Sequence, residues 1–169
     1  EALEDYNFAK AINSIQMFIW HQFCDEYIEA VKYRLYSDDD PKSKKAAQWT
    51  LKKVLETSLR LLAPMAPHFT EEVHQHIAQD SIHKKSWPSV QREYINEEAE
   101  ANGDLVIEII GALRRFKSSN RIPLNAPLEK VNIYTRENLH RIIKDYLEDI
   151  KGTMNIQKLE LITGKPKIK

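Results

Sequence analysis

The 169-residue chain has only four glycines and a single cysteine. Scarce glycine means few sites for sharp turns or for close approach of backbone to a phosphate. Consistent with that, no Gly-x-Gly-x-x-Gly, Walker-type or Gly-x-Ser-x-Gly segment occurs, so neither a phosphate-cradling loop nor a serine nucleophile elbow is expected. The lone Cys24 cannot form an internal disulfide or, with no second thiol, a cysteine-based zinc site, and it suits a reducing, cytosolic setting. No apolar run approaches ~18–20 residues, which excludes a helical membrane span, and the opening residues lack a signal-peptide pattern. Glu1-Ala2-Leu3-Glu4-Asp5-Tyr6 reads as a helix already under way, so a piece of a longer polypeptide is expected.

Present instead are 42% hydrophobic and 30% charged residues, the balance of an ordinary globular domain with a substantial core. The net charge is zero, but it is unevenly spread. Residues 1–109 hold 12 Lys and Arg against 19 Asp and Glu, while residues 110–169 hold 13 against 6. A basic final third beside an acidic remainder is compatible with a nucleic-acid-facing surface, and equally with a solvated lysine-rich end.

Hydrophobic spacing predicts a mainly α chain. A first helix is expected over about Leu3–Tyr36, with one stripe of Phe8, Ile12, Ile15, Ile19, Phe23 and Tyr27 and a second of Met17, Trp20, Cys24, Ile28, Val31 and Leu35. Asp40 as N-cap and Pro41 as first helical residue open a second helix, to about Leu62. Pro64 and Pro67 force an extended corner, followed by a short third helix to about Gln79. Residues 80–95 read as loop. A fourth helix over about Asn96–Ser118 carries Leu105, Ile109, Leu113 and Phe116. The period then changes: Lys130–Thr135 and Ile156–Ile162 read as strands around a helix from Arg136 to about Asp149. The expected organisation is a helical bundle over 1–120 with a small strand–helix–strand α/β appendage over 121–169.

Few residues suggest chemistry. His68, His74 and His76 stand near Glu71 and Glu72, but the spacing spreads them over too many helix turns and faces for one metal, so no metal site is assigned and the group is read as a polar helix face. Cys24 in an apolar stripe is read as buried and inert; Asp25, Glu26 and Glu29 are read as solvated. No catalytic residue is assigned. The strongest candidate is Leu113-Arg114-Arg115-Phe116-Lys117-Ser118-Ser119-Asn120-Arg121. It gathers Arg114, Arg115, Lys117 and Arg121 with Asn120 at a helix end, where cations can follow RNA phosphates and Asn can read a base edge. The alternative is that these cations serve the helix C-terminal carbonyls. Phe116 and Trp20 are read as core. Lys32 and Arg34 on the first helix are further candidates for phosphate contact.

Two runs carry a family resemblance: Phe18-x-Trp20-x-x-Phe23-Cys24-Asp25-x-Tyr27-x-Glu29-x-x-Lys32, and Leu61-Leu62-Ala63-Pro64-x-x-Pro67-x-x-Thr70-Glu71-Glu72, followed by Ser81-Ile82 and Trp87-Pro88. Together they resemble the anticodon-binding helical bundle of class I aminoacyl-tRNA synthetases of the valine, isoleucine, leucine and methionine group, most closely the valyl enzymes. Residues 1–128 resemble it well and the α/β tail loosely. Glu26 stands where the valyl pattern has tryptophan, and Val73-His74 where it has Leu-Trp. The end after the α/β unit, without a heptad-repeat tail, suggests an archaeal-like or otherwise tail-less version, or a truncated one.

The resemblance implies a domain that holds the anticodon stem-loop of a tRNA, in an enzyme joining valine to that tRNA. ATP and magnesium would act in a catalytic domain of the same protein, because the ATP-binding signatures of the His-x-Gly-His and Lys-Met-Ser-Lys-Ser type are absent from these residues. The fragment itself is then expected to hold no cofactor, to contact no membrane and to work in the cytoplasm. A sister enzyme for isoleucine, leucine or methionine, and a helical protein-interaction module unrelated to RNA, are the alternatives.

Overall fold

The computed structural model describes residues 2–165; Glu1 and residues 166–169, which belong to the expected domain bounds, lie outside the described residues. The chain is mainly helical with a small parallel sheet near its end. Its contacts divide it into two compact units, Glu1–Glu29 with Arg34–Arg92 and Ala30–Tyr33 with Glu93–Lys169.

In the first unit, Asn7 caps α1 (Phe8–Met17) by accepting from the Lys10 backbone N–H at 3.0 Å, so the helix starts later than its apolar pattern suggested. Phe18–Ile28 is then wound as a π-helix before α2 (Glu29–Tyr36) resumes. A π turn brings residues five apart onto one face. Phe18 and Phe23 accordingly stack with ring centroids 6.5 Å apart, and Phe23 stacks on Tyr27 at 6.0 Å. This wider winding breaks the two stripes expected from a 3.6-residue period: Phe23 is buried, Cys24 only half-buried, and Trp20, expected in the core, is 58% exposed.

Asp40 caps α3 (Pro41–Leu62) as expected, accepting from the backbone N–H groups of Lys42 and Ser43, with Pro41 in the first turn. The double-proline corner leads into α4 (Pro67–Gln75), which is shorter than expected. Leu59 and Ala63 pack on Ile82 of the following loop, with Val73 alongside. Polar ties fix that loop. Glu71 accepts from the Ser81 hydroxyl (3.0 Å), the Ile82 N–H (2.9 Å) and the Gln75 amide (2.8 Å). Buried His74 meets Asp80 at 3.0 Å, Asp80 also holds Lys85, and the Arg60 guanidinium donates twice to the Ser86 carbonyl. Hydrogen bonds from Gln75 first, then from Ile82 and Ser81, hold the Glu71 carboxyl below its usual range; Lys85 first and His74 second do so for Asp80. The polar helix face of the sequence reading is therefore a loop anchor.

The second unit is built on α5 (Glu97–Ser119), capped by Asn96, which accepts from the Ala99 N–H. Strand β1 (Leu128–Thr135) pairs in parallel with β2 (Ile156–Thr163), Leu128 opposite Ile156 and Thr135 opposite Thr163. The single helix expected between them is broken into α6 (Glu137–Asp145) and α7 (Leu147–Met154). Val131, Ile133 and Thr135 share the inner face of β1, as alternation predicted. The core joins Val106 and Ile110 of α5, Ile143 of α6, Ile150 and Met154 of α7 and Ile156 of β2. Residues 30–33 belong to this core. Ala30 packs on it, the Thr153 hydroxyl donates to the Ala30 carbonyl at 2.8 Å, and Tyr33 donates to Asp149 at 2.6 Å. The expected division at residue 120 thus falls inside the second unit, where α5 supplies a wall of the α/β core.

Candidate nucleic-acid interface

The C-terminal end of α5 closes in a Schellman arrangement. Arg121 N–H bonds to the Ser118 carbonyl at 3.0 Å and Ile122 N–H to the Lys117 carbonyl at 2.8 Å. The residue after the cap must then be left-handed, and that residue is Arg121, with φ of 57°. Glycine is the usual occupant because a Cβ is strained there by about 1–2 kcal/mol. Asn120 caps the helix, its side-chain amide donating to the Phe116 carbonyl at 2.8 Å. Pro123 follows and prevents the helix from continuing.

Lys117 overturns its sequence assignment. It is 0% exposed, and its ammonium donates to the carbonyls of Leu124 (2.8 Å), Ala126 (2.6 Å) and Met154 (3.0 Å). An ammonium has three protons, and all three are used inside the protein. Burial lowers its pKa from the ordinary lysine value. Lys117 cannot reach a phosphate in this conformation; it closes the 120–127 turn onto α7. Beside it, Asn155, itself left-handed with φ of 52°, donates its amide to the Asn125 carbonyl at 3.1 Å, and the Leu128 N–H bonds to the Asn155 carbonyl at 2.9 Å.

Phe116, expected in the core, is instead 52% exposed. Lysine in and phenylalanine out is the reverse of the usual preference. The reason lies in the period: Val106, Ile110, Leu113 and Lys117 follow one another at 4, 3 and 4 residues on the core-facing side, and Phe116 falls beside that line. That spacing was visible in the sequence and could have marked Lys117 as an inward residue.

The remaining candidates separate. Arg115 and Arg121 are exposed; Arg115 lies back along the helix, its Nη1 3.3 Å from where a Cβ on Gly111 would stand. Arg114 is half-buried and already has an interaction partner. Arg114, Arg115 and Phe116 thus lie in the last two turns of α5, with Asn120 as its cap and Arg121 just beyond, all within the second unit. Lys32 is exposed on the 30–33 segment of that unit, whereas half-buried Arg34 belongs to the first, and each has a partner within the fold. Among the described residues no group of three or more His, Cys, Asp or Glu side chains is placed to hold a metal ion, and no helix is long and apolar enough to cross a membrane. A cleft walled by Arg60, His83, Lys85 and Trp87 in the first unit has Arg60 turned to Ser86, His83 to Glu71 and Lys85 to Asp80.

A helical framework that ends in exposed guanidinium groups, an exposed ring and an amide on a fixed turn has the side-chain set of a single-strand nucleic-acid module. The chain belongs to the family of anticodon-binding domains of tRNA ligases, whose sequence profile matches residues 1–133. It is 61% identical over 168 residues to a valine–tRNA ligase of Methanothermobacter thermautotrophicus, covering 99% of this chain and 19% of that protein. Similar proteins include the valine–tRNA ligases of Methanocaldococcus jannaschii, 46% identical with 97% and 18% covered, and Thermococcus kodakarensis, 43% identical with 99% and 19% covered. The chain therefore spans about a fifth of the length of these relatives.

Proposed function

We propose that this chain binds the anticodon stem-loop of a valine tRNA through the C-terminal end of α5, as part of a valine–tRNA ligase. The observation that carries the reading is that Arg115 and Phe116 are exposed at the end of α5 and Arg121 is exposed on the turn that closes it, whose shape the fold fixes, in a chain belonging to the anticodon-binding family. Arg114, Arg115 and Arg121 would neutralise phosphates, the Phe116 ring would stack an unpaired base, and Asn120 would meet a base edge. Lys32 and Arg34 remain further candidates for phosphate contact. Valine activation with ATP and magnesium would take place in a catalytic domain of the same protein outside these 169 residues, in the cytoplasm.

The test is a titration of the chain with stem-loops bearing valine and non-valine anticodons at several salt concentrations. Log affinity is expected to fall with log salt by roughly 0.7 per phosphate neutralised. Replacing Arg114 and Arg115 together by Ala should flatten that slope and weaken binding to every stem-loop alike, because phosphate contacts carry no sequence information. Replacing Asn120 by Ala should narrow the preference among anticodons. Binding that ignores salt, or no binding, would refute the reading and favour a protein-interaction module. Preference for an isoleucine, leucine or methionine anticodon would transfer it to a sister enzyme.

A further inference from the structure

We infer that Lys117 is a positioning residue for RNA recognition: its buried ammonium holds the 120–127 turn in one shape and so presents Arg121 already oriented toward the bound strand. The inference rests on the proposed anticodon reading and adds a residue that touches no RNA.

The geometry is specific. Three carbonyls from three places in the chain, at residues 124, 126 and 154, converge on one Nζ within 3.0 Å. Two of them lie in the turn itself, and the third lies at the end of α7, in the core of the second unit. Without the ammonium the buried Met154 carbonyl would lose its donor and the part-buried Leu124 and Ala126 carbonyls their tie to it, so the turn would move outward toward water. The arrangement also explains how Arg121 keeps a left-handed backbone that glycine would adopt more readily. A fold that only needed the Schellman turn would be served better by glycine there. An arginine at that strained position, on a turn fixed from beneath, points to a use for its side chain. Asn155 supplies a second, exposed tether to the same turn through Asn125.

A lysine that contacts phosphate and a lysine that orders a loop leave different signatures. The first changes the salt slope on removal. The second changes affinity at constant slope, because what is lost is preorganisation rather than a neutralised phosphate. The experiment titrates the valine-anticodon stem-loop against wild type, Lys117→Met, Arg121→Ala, the double variant and Asn155→Gly, at several salt concentrations and at a temperature where circular dichroism shows each variant folded. Glycine at 155 keeps the left-handed backbone and removes only the tether.

Lys117→Met is expected to bind about five- to tenfold more weakly with an unchanged salt slope, from reordering one or two side chains and the turn. In the Arg121→Ala background the same change should add little, because Lys117 acts through Arg121. Asn155→Gly should weaken binding in the same direction by a smaller factor, and it carries the test if Lys117→Met does not fold. Unaltered affinity in the folded Lys117 variant, or in Asn155→Gly if that variant stands alone, would overturn the inference while leaving the anticodon reading intact. A slope reduced by about 0.7 on removing Lys117 would also overturn it, by making Lys117 a phosphate contact. A wild-type chain that fails to bind with salt dependence would overturn the anticodon reading, and this inference with it.

Discussion

The two units of the chain use their apolar residues differently. The second unit closes one core from α5, α6, α7 and β2 and lines it with partly buried residues from both strands. Among the described residues of the first unit, Leu59, Ala63 and Ile82 form a small buried cluster and Ala11, Phe23 and Ala47 are buried apart from it, while Phe8, Met17, Phe18, Trp20, Trp49, Phe69 and Trp87 stay exposed. Its loop is held instead by carboxylates and a guanidinium: Glu71, Asp80 and Arg60. Where a core is closed, even a lysine can be spent inside it to shape a turn. Where it is open, polar ties take over the work of packing.

This contrast can be broken by substitution. The largest effect is expected at Ile150, which is 0% exposed. Ile150→Ala should cost about 3–4 kcal/mol by denaturant unfolding, the transfer and cavity terms of a buried aliphatic side chain. Trp20→Ala in the first unit should stay within about 0.5 kcal/mol despite deleting a larger side chain, because exposed positions away from special features have small effects. Equal losses would erase the difference between the units. Lys117→Met comes next, at about 2–3 kcal/mol, since it leaves buried carbonyls without a donor.

Gly152→Ala sharpens the assignment of residues 30–33. A Cβ there would collide with the Tyr33 ring, so a loss of about 1–3 kcal/mol is expected from overpacking, relieved in part by Tyr33→Ala. No loss would mean that Tyr33 does not pack on α7. Arg121→Gly should do the opposite and raise stability by about 0.5–1 kcal/mol by relieving the left-handed residue, while weakening RNA binding. Such a trade of stability against binding is the mark of a strained functional position.

Acid separates the units more gently. Hydrogen bonds from Lys130 and then Lys158, at 2.7 and 2.8 Å, lower the Glu160 carboxyl from an ordinary 4.5 to about 2. A depressed folded pKa contributes stability that is whole above the ordinary carboxylate value and fades as pH falls from about 4.5 toward about 2. Glu160→Gln should therefore flatten the acid limb of the stability–pH curve in that window. Lys85→Met should likewise flatten the acid limb through Asp80 of the first unit, whose carboxyl is held below its ordinary 3.8 and whose contribution fades as pH falls below that value. An unchanged acid limb in both variants would place the acid-sensitive groups elsewhere.

Much of the fold was legible in the residues. Asp40-Pro41 gave the start of α3, the Pro64–Pro67 corner gave the next boundary, and alternation at Val131, Ile133 and Thr135 gave β1 and its inner face. The period argument failed over Phe18–Ile28, because a π-helix advances at a different period, with Phe18, Phe23 and Tyr27 stacked along it. The place of α5 was hidden because its partners, Ile143, Ile150 and Ile156, come after it in the chain. At the candidate site, residue type misled. Phe116 and Lys117 were placed by hydrophobicity, whereas the 106–110–113–117 spacing sets which of them points inward.

The most direct test of the account is an amide chemical-shift map of the 169-residue chain titrated with a valine-anticodon stem-loop at low salt. The account predicts that the largest perturbations cluster over residues 114–126, at Arg115, Asn120 and Arg121 above all, and fade as salt is raised. Perturbations centred on the exposed rings of the π-helical segment and Trp87, with residues 114–126 unmoved, would contradict it.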